Sequence, residues 1–94
     1  MADLTKIIVH KFTMGDVEDP DLYAADPIWK WQQTQVGKFV MKHADKTIWV
    51  RNVDHNYHGY RYYIVAEFDE RSLVEYYLRG GEDHRDSYFA DSED

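Results

Sequence analysis

The stretch that decides the fold runs from Thr47 to Phe68 and reads TIWVRNVD, HNYH, GYRYYIVAEF. Its outer parts, residues 47–54 and 59–68, are rich in β-branched and aromatic residues, which favour strands. The residues between them, 55–58, have a length and polarity typical of a hairpin connection. The side-chain period of two in a strand places the following residues of the second run on one face: Tyr60, Tyr62, Ile64, Ala66 and Phe68. The stretch therefore predicts an antiparallel hairpin with one apolar, aromatic face.

Upstream of the hairpin, the sequence predicts one more strand and one helix. Residues 6–13 (KIIVHKFT) again favour a strand, and Gly15 ends it. A helix is expected over residues 27–43, because Asp26 can cap it and Pro27 suits its first position. Its apolar stripe includes Trp29 but leaves Trp31 outside. Gly37 either costs this helix about 1 kcal/mol relative to Ala or permits close approach of another backbone.

Downstream of the hairpin, a short helix is expected over residues 70–79. Asp69 is suited to cap this helix and Gly80-Gly81 to end it. Its predicted buried stripe consists of Leu73, Val74, Tyr77 and Leu78. From residue 82 the chain is polar and acidic, which is typical of a disordered tail. We therefore expect one globular domain over residues 1–81, followed by an acidic tail over residues 82–94.

The predicted order of elements, β-α-β-β-α, indicates the α+β class. The simplest arrangement is a three-stranded antiparallel or mixed sheet with two helices on one face. A right-handed crossover from the first strand places that strand beside the third, giving the order 1-3-2. This is a truncated ferredoxin-like unit that lacks its last strand. A chain of 94 residues fits a single domain of this size.

Composition excludes several classes of protein. The absence of cysteine excludes disulfides and thiolate metal sites. No apolar run approaches the roughly 20 residues of a membrane span, and the first residues lack a signal-peptide pattern, so we expect a cytosolic protein with no membrane partner. The net charge is −7, and residues 15–26 and 82–94 contribute −5 each. Without clustered Lys and Arg, direct binding of nucleic acid is not expected.

No motif predicts catalysis or a cofactor. The chain has no serine in a nucleophile elbow and no glycine-rich loop before a helix, so we expect no enzyme activity. His55 and His58, beside Asp54, could hold a metal ion if a further histidine approached; otherwise they form a solvated turn. The acidic residues 15–26 do not match a calcium loop, because Pro20 and Leu22 occupy positions of ligands or of the central glycine.

Aromatic residues make up 16% of the chain, and they suggest a contact surface. On the predicted helix, Trp31 lies at the border of the polar face, near Gln35 and beside Tyr23 of the acidic segment. An exposed tryptophan there would be a typical anchor of a protein interface. Alternatively, the acidic segment folds over Trp31 and buries it. The candidate protein-binding residues are Tyr23, Trp31, Gln35, Asp16, Glu18, Asp19 and Asp21.

One segment has a recognisable resemblance. The run KFTMGDVEDPDLYAA, residues 11–25, continues through Pro27-Ile28 to WQQT at residues 31–34 and to Gly37. It resembles a family of small proteins of marine tailed bacteriophages, chiefly cyanophages, over about residues 6–79. The resemblance implies a phage origin and the host cytoplasm as the site of action. It implies no reaction, cofactor or catalytic residue.

Two functions are compatible with these observations. The first is a small non-enzymatic phage accessory protein that binds a host factor or a second copy of itself through its aromatic surface and acidic segment. An unpaired first strand would offer an edge for such a homodimer. The alternative is an acidic decoy that mimics nucleic acid and occupies a DNA-binding protein of the host.

Overall fold

The computed structural model describes residues 3–15, 17–54 and 59–85. The elements, in chain order, are β1 (Thr5–Met14), α1 (Pro20–Gln32), α2 (Gln35–His43), β2 (Lys46–Asp54), β3 (Gly59–Phe68) and α3 (Glu70–Leu78). They form an α+β fold with a three-stranded antiparallel sheet and three helices. Within the described ranges, no helix is both long and apolar enough to cross a membrane.

The sheet has the order β1-β3-β2, as the sequence predicts. Both outer strands pair antiparallel with β3, which is therefore the central strand. The predicted alternation along β3 is confirmed, because Ile64, Ala66 and Phe68 all join the core beneath the helices. Residues from all three helices and from β1 complete that core: Ile7, Val9, Trp31, Phe39, Val40 and Tyr76. The elements thus stack as one sheet with a single layer of helices.

The single helix expected over residues 27–43 is wrong, because the chain forms two helices there. The first, α1, starts at Pro20, and Pro27 lies inside it. The break falls at Thr34, whose hydroxyl donates to the carbonyl oxygen of Trp31 at 2.7 Å. The Thr34 hydroxyl oxygen in turn accepts a hydrogen bond from the backbone N–H of Gly37 at 3.0 Å. One threonine therefore closes α1 and caps α2.

Gly37 permits the close approach that its position suggested. A Cβ atom built on Gly37 would lie 1.9 Å from the carbonyl oxygen of Trp31, far inside van der Waals contact. The backbone of α2 therefore passes directly against the end of α1. No other residue type fits this corner without moving the two helices apart.

The cap of α3 is confirmed, but its predicted buried stripe is wrong. The Asp69 carboxylate accepts a hydrogen bond from the backbone N–H of Ser72 at 2.7 Å. Tyr76 is buried and its ring stacks on Phe68, with centroids 5.4 Å apart. Most of the predicted stripe is instead exposed, namely Val74, Tyr77 and Leu78. In this orientation the Tyr76 ring joins the core and its hydroxyl donates a hydrogen bond to the carbonyl oxygen of Glu82.

Residues 82–85 differ from the expected disordered tail, because they pack against the edge of β1. The backbone N–H of His84 donates to the carbonyl oxygen of Ile8 at 2.9 Å. Beside this contact, β1 contains a bulge, where the register shifts between Ile8 and His10. The globular body therefore extends at least to Arg85, and residues 86–94 lie outside the described part of the chain.

Candidate protein-binding surface

The structure places Trp31 in the core, so of the two alternatives for this residue the exposed anchor is wrong. Trp31 is only 6% exposed, whereas Trp29 is 58% exposed. The predicted apolar stripe assumes one continuous helix. Because the helix breaks at Thr34, the apolar residues of α2 do not continue the buried face of α1. The Trp31 ring stacks on the His10 imidazole, with centroids 5.5 Å apart. Burial, together with repulsion from His84, lowers the pKa of His10.

The other predicted binding residues that the structure describes are exposed. Tyr23 is exposed on α1, but it lies two turns before Trp31, about 12 Å along the helix axis. Gln35 is exposed at the start of α2, and Glu18 and Asp19 are exposed before α1. Asp16 lies outside the described residues. With Trp31 buried, the predicted site loses its anchor, and a role of the exposed residues in binding stays a prediction.

Asp21 is engaged within the fold. Its Oδ1 atom accepts a hydrogen bond from the Tyr62 hydroxyl at 2.8 Å and pairs with Arg51 Nη1 at 3.0 Å. Burial and the bond to Asp21 raise the pKa of Tyr62. The Arg51 guanidinium also lies over the ring of Tyr60, 5.1 Å from its centroid. These contacts fasten the first turn of α1 to the sheet and hold Arg51 in place on β2.

A shallow apolar groove runs between the helices and β2, and we call it the β2 groove. Its walls are Ile28 and Gln32 of α1, Met41 of α2, and Thr47 and Trp49 of β2, over a floor that includes Trp31 and Ile64; it also adjoins β2 at Ile48. The cavity holds about 60 Å³. Trp49 remains 47% exposed, and Met41 and Ile48 are about equally open. Exposed apolar side chains around a groove are typical of a protein-binding site.

The strand that borders this groove lies at an edge of the sheet. Among the described residues β2 pairs only with β3, so its other side is an open edge of the sheet within that part of the chain. Its register with β3 is continuous, and it contains no proline. Besides Ile48 and Trp49, Val53 is 59% exposed on this strand. Sequence reasoning missed this surface because it searched the helix for an anchor and left the edge of the second strand out of account.

The remaining surface features point to a site less clearly. A larger cavity of about 260 Å³ adjoins Lys11, Thr13 and Arg61. Its tyrosine, Tyr63, is fully buried and so offers a partner no exposed aromatic surface. On α3, Val74, Tyr77 and Leu78 form an exposed apolar stripe with no groove beside it. Among the described residues, no three His, Cys, Asp or Glu side chains are placed to hold a metal ion. His55 and His58 lie outside those residues.

In comparisons with known proteins, no family model, no curated protein and no solved structure matches this chain.

Proposed function

We propose that this chain is a small, non-enzymatic protein-binding domain that contacts its partner through the β2 groove and the open edge of β2. The observation that carries the proposal is the concentration of exposed apolar side chains on an unprotected edge strand. Natural proteins usually blunt such edges with proline, bulges or covering segments, because an open edge is a template for pairing with another chain. β2 has a continuous register and no proline.

The chemistry of this surface suits the addition of an extended segment. Backbone groups of an edge strand form hydrogen bonds that give affinity for any extended segment. Pockets beside the strand select particular side chains of that segment. Trp49 is the natural anchor, since tryptophan is enriched among the residues that dominate binding energy. The groove beside it could receive one apolar side chain of a partner.

The acidic segment before α1 would contribute steering rather than contact energy. Glu18 and Asp19 are exposed, and charges at the rim of an interface mainly raise the association rate with an oppositely charged partner. The resemblance to phage proteins suggests a host factor or a second copy as partner, in the host cytoplasm. The order β1-β3-β2 is the one that a truncated ferredoxin-like unit would have.

The acidic decoy receives less support from the contacts. A mimic of nucleic acid needs carboxylates that are open to its target, but Asp21 pairs with Arg51 and Asp26 pairs with Lys30 at 2.9 Å. Two of the five acids in residues 15–26 are thus engaged within the chain. We therefore favour the protein-binding function.

The proposal is tested by Trp49→Ala. The full chain is immobilised, the proteins that it retains from a cyanobacterial lysate are identified, and the affinity of each purified partner is measured. We expect Trp49→Ala to weaken binding by more than about 1 kcal/mol, as for an interface anchor. Trp29→Ala is the matched control, because Trp29 is at least as exposed as Trp49 but does not line the groove. Loss of binding in Leu78→Ser on α3, with Trp49→Ala unaffected, would overturn the proposal.

A further inference from the structure

We propose that the occupant of the β2 edge is a second copy of this chain, joined through antiparallel pairing of β2 with β2 into a continuous six-stranded sheet. This inference rests on the proposed function, since it uses the same surface and names the partner. It moves the homodimer expected at the first strand to the opposite edge of the sheet.

The two edges of the sheet are protected very differently. The β1 edge carries a bulge between Ile8 and His10, and the backbone of His84 already occupies the carbonyl oxygen of Ile8. The Asp83 carboxylate also accepts a long hydrogen bond, 3.4 Å, from the backbone N–H of Ile8. β2 has neither a bulge in its register nor a proline. In the described part of the chain, β2 is therefore the edge that is suited to accept another strand.

The length of β2 selects one register for this pairing. Antiparallel pairing around a two-fold axis that overlaps all of Lys46–Asp54 places Val50 opposite Val50 of the second copy. The remaining opposite pairs follow from that axis: Lys46 with Asp54, Thr47 with Val53, Ile48 with Asn52, and Trp49 with Arg51. Any other register leaves part of the strand unpaired.

The side chains of β2 are complementary in this register. Positions 46 and 54 lie opposite each other in this register, so the sequence places a lysine opposite an aspartate at both ends of the pairing. Trp49 and Arg51 lie on the helix-covered face, because they pair with Ile64 and Tyr62 of β3. Arg51 of one copy therefore stands beside the half-exposed indole of the other, an arrangement that favours a cation–π contact. No like charges are placed opposite each other.

The pairing also extends an apolar band on the face opposite the helices. There Val50 pairs with Tyr63, and Ile48 pairs with Val65. In the dimer, Val50 of each copy would join the two bands across the axis. The outer edges of the six-stranded sheet would then be the two bulged β1 strands, which stop further addition. The assembly therefore closes as a dimer rather than growing into a filament.

Exchange of the end charges tests the register. Lys46→Asp and Asp54→Lys would each place like charges opposite each other at both ends of the interface. We expect each single variant to lower the dimer association constant about fivefold in sedimentation velocity of the full chain. The double variant restores opposite charges, so it is expected to recover dimerisation. Singles that dimerise like the wild type, or a double variant that fails to recover, would overturn this register.

A thiol introduced at the axis tests the same geometry in a chain that has no cysteine of its own. In Val50→Cys, the two thiols face each other at a distance that mild oxidation can bridge. In the control Val53→Cys, the thiols lie about 20 Å apart along the strands, although Val53 is more exposed. We expect a covalent dimer from the first variant and not from the second; equal cross-linking of both would overturn the inference.

Failure of this inference can be told apart from failure of the proposed function. A wild-type chain that sediments as a monomer up to millimolar concentration overturns the dimer. If Trp49→Ala still weakens binding of a retained partner, the β2 groove remains a protein-binding site for another chain. If it does not, both proposals fall together.

Discussion

At the scale of single residues, the two tryptophans of α1 show how the position of a residue on a helix decides between core and surface. Trp31 stacks on His10 in the core, whereas Trp29 is exposed. The sequence instead places Trp29 on the apolar stripe and leaves Trp31 outside it, when one helix is extended through Thr34. The two side chains are chemically identical, so their burial could be told apart only by knowing where the helix breaks.

We expect Trp31→Ala to lower the free energy of unfolding by about 3–5 kcal/mol, since it removes a large side chain from the core. Trp29→Ala should change it by less than about 0.5 kcal/mol, as for an exposed position. Urea denaturation of both variants, followed by circular dichroism, gives the two values. Equal destabilisation by the two substitutions would mean that the burial described for α1 is wrong.

At the scale of elements, the strands could be predicted from the sequence and the helices only in part. β1, β2 and β3 have apolar alternation and β-branched residues that leave little choice of structure, and their order follows from the crossover. The break between α1 and α2 is harder to predict, because Gln32 and Gln33 look like a gap in the apolar stripe rather than the end of a helix. Thr34, followed three residues later by Gly37, is the pattern that marks the new helix.

The corner between α1 and α2 depends on Gly37. Gly37→Ala would place a methyl group against the carbonyl oxygen of Trp31, which is backbone and cannot rotate away. We expect a loss of about 1–3 kcal/mol in unfolding free energy, although Ala normally favours helices. Gly15→Ala is the control, because nothing lies within 4 Å of its Cβ position. A Gly37→Ala variant as stable as the wild type in urea would contradict this close approach.

At the scale of the whole molecule, the fold leaves one edge of its sheet closed and the other open. The closed edge is produced by the bulge in β1 and by residues 82–85, which no local pattern indicates, because their contacts join parts of the chain far apart in sequence. The binding surface was missed for the same reason. Trp49 and Met41 come together in the β2 groove only after α1, α2 and β2 have packed.

Hydrogen exchange of the full chain at low and high concentration tests the role of β2 most directly. Pairing would protect the outward backbone N–H groups of Lys46–Asp54, and it would leave β1 and α3 unchanged. If β2 pairs with β2, exchange within residues 46–54 slows as the concentration rises, and exchange in residues 70–78 does not change. Exchange in β2 that does not depend on concentration, or new protection confined to α3, would contradict the pairing.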